Sequence, residues 1–346
     1  MKFSRVHVET IQYELPPNVV TSAAIEDRLT PFYESLKLPF GQLEALTGIK
    51  ERRFWNPDQK VSDGAIKAGQ KALAASSVSP GDVGMVIHAG VCRDNLEPAT
   101  ACTVADALGV TGPAAIYDLS NACLGVLNGM VQVASAIQLG HIKAGLVVSC
   151  ESARQIVDLT IDRLLNNVHM DTYAKCLATL TGGSGAVAVL LTDVSIAKSA
   201  HRLDGGVIHS ATEHHRLCRW GPDTGIPATS PQTMETNAPA VLKHGVDLGA
   251  RTWQAFLPEM GWSADRVDKV ICHQVGSAHQ QTILNAFGIP SEREFCTYPF
   301  LGNVGTVSLP ITAAIADERG FLQPGDRVGF LGIGSGLNCL MLGLHW

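Results

Sequence analysis

An α/β fold made by repeating one unit is what the sequence predicts, and three observations carry it. Seventeen positions separate Cys123 from Gly140, and 17 separate Asn303 from Gly320; both intervals are helical stretches rich in small residues. In each copy a further glycine follows five residues on, Gly145 and Gly325, ahead of the apolar runs Leu146-Val147-Val148 and Val328-Gly329-Phe330-Leu331. Upstream, Asp82-Val83-Gly84-Met85-Val86-Ile87-His88 is echoed by Arg266-Val267-Asp268-Lys269-Val270-Ile271-Cys272-His273. Short apolar segments alternate with helical ones, the pattern of a mostly parallel sheet covered by helices.

Taken in order, residues 62–76 form a helix with one polar and one apolar face, and 83–90 a short, continuously apolar strand. A helix over 100–108 and a strand over 114–119 follow, then the helix after Cys123 and the strand 146–149. Residues 154–181, carrying Leu164, Leu165, Met170, Tyr173 and Leu177, read as an inserted helical excursion before a strand at 185–191. The polar stretch 213–237, with Pro222, Pro227 and Pro231, reads as a surface loop. The pattern restarts with a helix at 238–260 leading into a strand at 269–272.

Composition narrows the class. The 346 residues include 34 glycines, with 46% apolar and 17% charged residues, which suits a compact α/β protein with much buried strand. A net charge of −6 leaves no basic footprint for nucleic acid. The first residues lack the apolar core of a signal peptide, and no apolar run reaches the ~18–20 residues of a membrane span, so a soluble cytoplasmic protein is expected. The cysteines number nine, an odd count without Cys-x-x-Cys pairs. Neither a disulfide framework nor a metal site is expected, and most should be small buried hydrophobes.

Five positions are candidates for chemistry. Cys123, in Asn121-Ala122-Cys123-Leu124-Gly125, precedes a helix whose free amides and dipole favour a thiolate, making it a candidate nucleophile. His273 stands where the strand Val270-Ile271-Cys272 runs out, the edge of an open sheet at which ligands bind. Asn303, in Gly302-Asn303-Val304-Gly305, is by itself an ordinary turn residue; its equivalence to Cys123 makes it a candidate for the same cavity. The run Gly332-Ile333-Gly334-Ser335-Gly336 is not a dinucleotide loop, because only ten residues follow it. It suits close backbone approach, with an amide donating into an oxyanion hole. Glu97 lies in Arg93-Asp94-Asn95-Leu96-Glu97-Pro98, a loop segment in which a glutamate is ordinarily just solvated.

These residues, with Leu46-Thr47-Gly48-Ile49-Lys50-Glu51-Arg52-Arg53, Gly182-Gly183-Ser184-Gly185-Ala186 and His273-Gln274, resemble the thiolase superfamily over essentially the whole length, nearest the ketoacyl synthase III condensing enzymes. The resemblance implies a duplicated five-layer α-β-α-β-α fold with mostly parallel or mixed sheets, a homodimer and a Cys123–His273–Asn303 triad. It implies one thiolase-like half over 1–193, with the nucleophile and the inserted helices, and a second over 194–346, with the histidine and asparagine. Within the superfamily, the segment 93–98, Ser210-Ala211-Thr212-Glu213 and Leu217-Cys218-Arg219 resemble the acyl-CoA condensing enzymes of olefin biosynthesis (OleA type). There the glutamate matching Glu97 crosses the dimer and acts as base, which reverses the reading of that residue as merely solvated. Ketoacyl synthases III commonly carry Asn three and Arg five residues after the histidine; Gly276 and Ala278 stand there, so acyl-CoA becomes a better substrate than acyl carrier protein.

The chemistry expected is acyl transfer to Cys123, with the Cys123 and Gly336 amides holding the oxyanion, followed by attack of a second thioester's enolate on the acyl-cysteine. His273 and Asn303 would stabilise that enolate. Direct deprotonation of an acyl-CoA needs a base, for which Glu97 is the candidate; a glutamate at its reference value of about 4.3 is weak for this, so the role requires burial. The alternative is decarboxylation of malonyl-ACP, as in 3-oxoacyl-ACP synthase III. A papain-like protease shares the Cys…His…Asn order but not the duplication, and a scaffold would not need a triad. Transfer to water or an alcohol stays open. No cofactor is expected beyond the CoA thioester substrate.

Overall fold

The computed structural model describes residues 1–222 and 232–346. Up to Asp193 the chain forms β1 (Val6–Glu14), β2 (Asn18–Thr21), α1 (Ser22–Arg28), α2 (Thr30–Leu36), α3 (Gln42–Thr47), β3 (Glu51–Phe54), α4 (Val61–Ala74), β4 (Val83–Ala89), α5 (Thr100–Ala107), β5 (Ala115–Leu119), α6 (Gly125–Gln138), β6 (Ala144–Glu151), α7 (Arg154–Asn166), α8 (Met170–Leu180) and β7 (Gly185–Asp193). It continues with β8 (Arg202–Ser210), β9 (Cys218–Pro222), β10 (Gln232–Thr236), α9 (Ala238–Met260), β11 (Lys269–Cys272), α10 (Ser277–Phe287), α11 (Tyr298–Leu301), α12 (Ser308–Glu318), β12 (Arg327–Gly334) and β13 (Asn338–His345).

Nine strands form one hydrogen-bonded sheet in the order β11-β12-β13-β8-β1-β7-β6-β4-β5. Read outward from its middle, the order repeats: β1-β7-β6-β4-β5 on one side, β8-β13-β12-β11 on the other. A lone parallel bridge between Val270 and Glu294 occupies the place of a counterpart to β5. The two sets join edge to edge where His7 of β1 pairs with Arg202 of β8. The sheet is mixed: β4–β5, β4–β6 and β11–β12 are parallel, while the pairings of β7 and β13 with both their neighbours are antiparallel. The physical reason is that β7 and β13 are return strands. Only Ser335, Gly336 and Leu337 separate β12 from β13, too few for the crossover helix a parallel neighbour needs.

The layers follow from which face of each strand is covered. Val147 of β6 and Val187, Val189 and Leu191 of β7 share one core with α6, α12, and Phe330, Leu340 and Leu342 of β12 and β13. The alternate residues Leu146, Val148, Ala188 and Leu190 face the other way, onto α4 and α5. Leu331, Cys339 and Met341 likewise turn outward, onto α9 and α10. The period-two alternation of a strand buried on both faces thus yields five layers, with α6 and α12 in the middle. Close approach explains the small residues of that central layer. A side chain at Gly129 would meet Val147 Cγ1 at 2.7 Å, and one at Gly145 would meet Val133 Cγ1 at 2.5 Å.

The inserted segment is α7 and α8, which pack with α1, α2 and β3 through Tyr33, Phe32 and Tyr173. The stretch 213–237 is not a simple surface loop. Its described parts, β9 and β10, pair antiparallel from Cys218–Thr236 to Pro222–Gln232, and β10 packs against α7 and α8. Alternation won over composition here, since Cys218, Trp220 and Met234 face inward between polar neighbours. Pro227 and Pro231 lie outside the described residues. Among the described residues no helix is long and apolar enough to cross a membrane, and no group of metal-binding side chains occurs.

Candidate active site

Because β4, β5 and β6 are mutually parallel, as are β11 and β12, the carboxyl ends of each set lie together, the edge at which α/β sheets bind ligands. A cavity of about 420 Å³ opens there between the two halves of the sheet. Cys123, Val91 and Glu151 come to it from one side, Asn303, Val304 and Ser335 from the other, while Trp220 and Met234 of the β9–β10 hairpin and Ile156 of α7 supply an apolar wall.

Cys123 is set on a strained turn. Ala122 before it has φ +45°, a left-handed conformation that costs a residue with a Cβ. Leu124 N–H returns to the Asn121 carbonyl at 2.9 Å, so the chain reverses sharply and enters α6 two residues later. Across the turn, a Cβ at Gly334 would sit 3.3 Å from the Cys123 nitrogen, so the end of β12 rests directly on the nucleophile's backbone.

The expected thiolate is disfavoured where Cys123 lies. Burial pushes the Cys123 thiol up to about 12, Cys218 and Glu151 add to the effect, and only its own backbone N–H opposes it. Desolvation outweighs the helix terminus for two reasons. The sulfur lies two residues short of the first helical position, and Thr306 Oγ1 already accepts the Val126 N–H at 2.7 Å, satisfying part of that terminus. Burial thus favours the neutral thiol of Cys123 over the thiolate.

Asn303 is held by its backbone to the other half: its N–H donates to the Thr181 carbonyl at 2.9 Å and its carbonyl accepts from Gly183 N–H at 2.8 Å. Its Oδ1 accepts from Gly305 N–H at 3.1 Å, which leaves the amide's N–H bonds to donate. His273 caps β11, with its N–H on the Leu331 carbonyl at 3.0 Å. It is not among the cavity-lining residues; it is 7% exposed, and its Nδ1 has no partner among the described residues. Gln274 ties it to the asparagine segment, since its Oε1 accepts the Thr297 N–H at 3.0 Å, at the start of the turn leading to Gly302 and Asn303.

Burial drives the His273 imidazole down to about 3, with His279 nearby acting in the same direction. The ring is neutral in the folded protein across the usual working range. Between the two ionisations the unfolded chain binds a proton that the folded one refuses, so stability falls as pH drops below about 6.5. A thermal-melting series should lose about 2 kcal/mol between pH 7 and pH 5 from this residue, and His273→Asn should flatten the slope. A slope unchanged in the variant would show that the ring protonates freely in the native state.

Gly336 lies in the three-residue turn between β12 and β13, with φ +143°, and its N–H makes no hydrogen bond within the described residues. Its neighbour Ser335, not Gly336 itself, lines the cavity. Glu97 is exposed on the loop between β4 and α5, beside Leu96 at 73% exposure, and does not line the cavity of its own chain. All nine cysteines are free. Four are buried, fewer than the majority expected; Cys102 is exposed, and Cys92, Cys123, Cys218 and Cys296 are half-buried, Cys123 and Cys218 because they face the cavity.

Sequence reasoning missed Glu151. It is 5% exposed at the end of β6, facing the cavity, with burial raising its carboxyl. The signal that selected His273, a titratable residue where an apolar strand runs out, was present in Val147-Val148-Ser149-Cys150-Glu151 as well.

Comparison with known proteins fits this geometry. Residues 257–346 match the family model of the 3-oxoacyl-[acyl-carrier-protein (ACP)] synthase III C terminal. The acyl-CoA:acyl-CoA alkyltransferase of Shewanella oneidensis is 54% identical over 349 residues, covering 100% of both chains. That of Xanthomonas campestris is 35% identical over 347 residues, again covering 100% of both. The crystal structure of cerulenin-bound Xanthomonas campestris OleA superposes with a TM-score of 0.94 at 34% identity, covering 100% of this chain and 98% of that one. Structures of that protein with its cysteine, a glutamate or a histidine replaced are similar, with TM-scores of 0.93–0.94. The doubled five-layer fold is thus that of the thiolase-like condensing enzymes, which are acyltransferases. Among them, the chain belongs to the OleA-type family of acyl-CoA:acyl-CoA alkyltransferases.

Proposed function

We propose that the protein joins two acyl-CoA molecules by a non-decarboxylative Claisen condensation through an acyl group on Cys123, giving a β-keto acid. The observation that carries this is one cavity lined by Cys123 from one half of the sheet and Asn303 from the other, in a chain whose full-length relatives are acyl-CoA:acyl-CoA alkyltransferases.

With Cys123 and His273 both uncharged, no ion pair stands ready; the thiol gives up its proton as sulfur attacks the thioester carbonyl, and His273 passes it to the departing CoA sulfur. The negative oxygen that forms meets the Cys123 and Gly336 amides. Neither N–H is spent on a backbone carbonyl, so both remain to donate, and each is worth roughly 3–4 kcal/mol of barrier. In the second stage the enolate oxygen of the other thioester takes hydrogen bonds from the Asn303 amide and the imidazole. Its carbon attacks the acyl-cysteine and the Cys123 sulfur leaves, giving a β-ketoacyl-CoA; water then hydrolyses that thioester to the β-keto acid and free CoA.

The α-proton goes to Glu97 of a second copy in a homodimer. Two facts support this. Glu97 is exposed and does not line the cavity of its own chain, and the glutamate replaced in the Xanthomonas protein lies 26 positions before its cysteine, the same spacing as Glu97 to Cys123. Burial against the partner would strip water from the carboxylate and strengthen it as a base. The two halves, 1–193 and 194–346, then supply nucleophile and enolate-binding groups respectively. Ala278 offers no cation to an acyl carrier protein, and CoA thioesters fit a role in fatty-acid metabolism in the cytoplasm.

Incubation with a single long-chain acyl-CoA, with and without a malonyl thioester, tests the reading. Product from acyl-CoA alone is expected. Product formed only with the malonyl thioester would favour the decarboxylative ketoacyl synthase reaction instead.

A further inference from the structure

Glu151 connects two parts of the site that are distant in sequence. Its Oε1 accepts the Val91 N–H at 2.9 Å and its Oε2 accepts the Cys92 N–H at 3.1 Å. The next residue repeats the grip: Ser152 N–H donates to Cys92 Sγ at 3.5 Å, and that thiol donates to the Ser152 carbonyl at 3.6 Å. Val91 and Cys92 begin the loop that carries Glu97. Further along, Ser62 N–H at the start of α4 donates to Asp94 Oδ1 at 3.1 Å, and Asp94 N–H donates to Thr100 Oγ1 at 3.2 Å. The segment 95–98 between these fastenings is exposed. A loop pinned at 91, 92, 94 and 100 cannot fold back as a lid; it holds its tip outward. The carboxylate that fastens its root also faces Cys123, and its charge opposes ionisation of that thiol.

We propose that Glu151 is a positioning residue that clamps the base-bearing loop to the floor of the Cys123 cavity and sets its carboxylate in the same cavity as the nucleophile. The proposal rests on the reading of Glu97 as the base. A buried carboxylate satisfied by two backbone N–H groups is a strong, geometrically fixed acceptor, and a partner-directed glutamate needs a root of that kind. The cavity volume is small enough that a displaced root would move Val91, one of its walls, into the substrate's space.

The full-length Glu151→Gln and Glu151→Asp variants test it. Glutamine keeps the shape but loses the charge and one acceptor; aspartate keeps the charge but loses the reach. In both, hydrogen exchange in the peptide covering 90–98 should quicken about tenfold or more, because a charge-assisted acceptor has been removed. Alkylation of Cys123 by iodoacetamide, followed on its own peptide, should become about tenfold faster in Glu151→Gln than in Glu151→Asp, the effect of deleting one nearby negative charge. Condensation should fall in both variants while the acyl group still loads onto Cys123. Unaltered exchange and turnover in both variants would overturn the clamp, and equal alkylation rates would overturn the effect on the thiol. The exchange and alkylation readings do not involve Glu97 chemistry. A Glu97→Gln protein that still condenses would therefore sink the base assignment without deciding the role of Glu151.

Discussion

Exchanging Cys123 for alanine should abolish condensation, with turnover of acyl-CoA falling by at least about 10,000-fold and no acyl-enzyme formed. The fold should survive. The side chain is small and half-buried, it precedes α6 rather than belonging to it, and the turn is held by Leu124 N–H on the Asn121 carbonyl, which alanine leaves in place. A melting temperature within a few degrees of the parent would confirm that the loss is chemical. Cys218 shares the cavity but should not substitute. Its sulfur is engaged with Thr236 Oγ1 at 3.4 Å, and it sits on β9 within the hairpin, without the sharp turn that presents Cys123. Residual turnover above background, with acyl label on Cys218, would contradict this.

The second large effect belongs to Glu97. Glu97→Gln should leave Cys123 acylation intact and stop carbon–carbon bond formation, since removal of the α-proton then has no base. Stability should barely change, because the residue is exposed and outside every described network. The in-trans assignment makes a sharper prediction when Glu97→Gln and Cys123→Ala proteins are unfolded, mixed equally and refolded. Half of the dimers would be mixed, and in each one site would combine an intact cysteine with an intact glutamate. About a quarter of the parental activity should return from two inactive proteins. Recovery of none would mean that Glu97 serves the cavity of its own chain or none at all. Loss of acylation in Glu97→Gln alone would assign the residue a structural role.

Much of the fold was legible because both copies repeat the same constraints. The glycines that let α6 lie close on β6, and the apolar strands buried on both faces, are written as spacing and as unbroken hydrophobic runs. The antiparallel return strands were harder to read. A strand buried on both faces has the same composition whichever way it runs, and only the three-residue turn after Gly334 reveals the direction of β13. β1 escaped notice because it carries His7, Glu9 and Gln12 among its apolar residues; Glu9 is satisfied in the core by Thr192 and by the Lys198 N–H. At the site, Cys123 and Asn303 were found by their equivalence, and His273 by its place at a strand end. The ionisation of Cys123 could not be read, because helix position is visible in a sequence whereas the depth of a cavity is not. The same blindness hid Glu151 and the inward side of the β9–β10 hairpin.

The central claim is that Cys123 carries the acyl group within a cavity shared with Asn303. The most direct measurement is peptide mass spectrometry of the Glu97→Gln protein after brief exposure to one long-chain acyl-CoA, when an acyl group that forms should accumulate rather than be consumed. The account predicts one acyl increment per chain, on the peptide containing Cys123, and none on the peptides containing Cys92 or Cys218. An unmodified Cys123, or a label distributed over the other thiols, would contradict it.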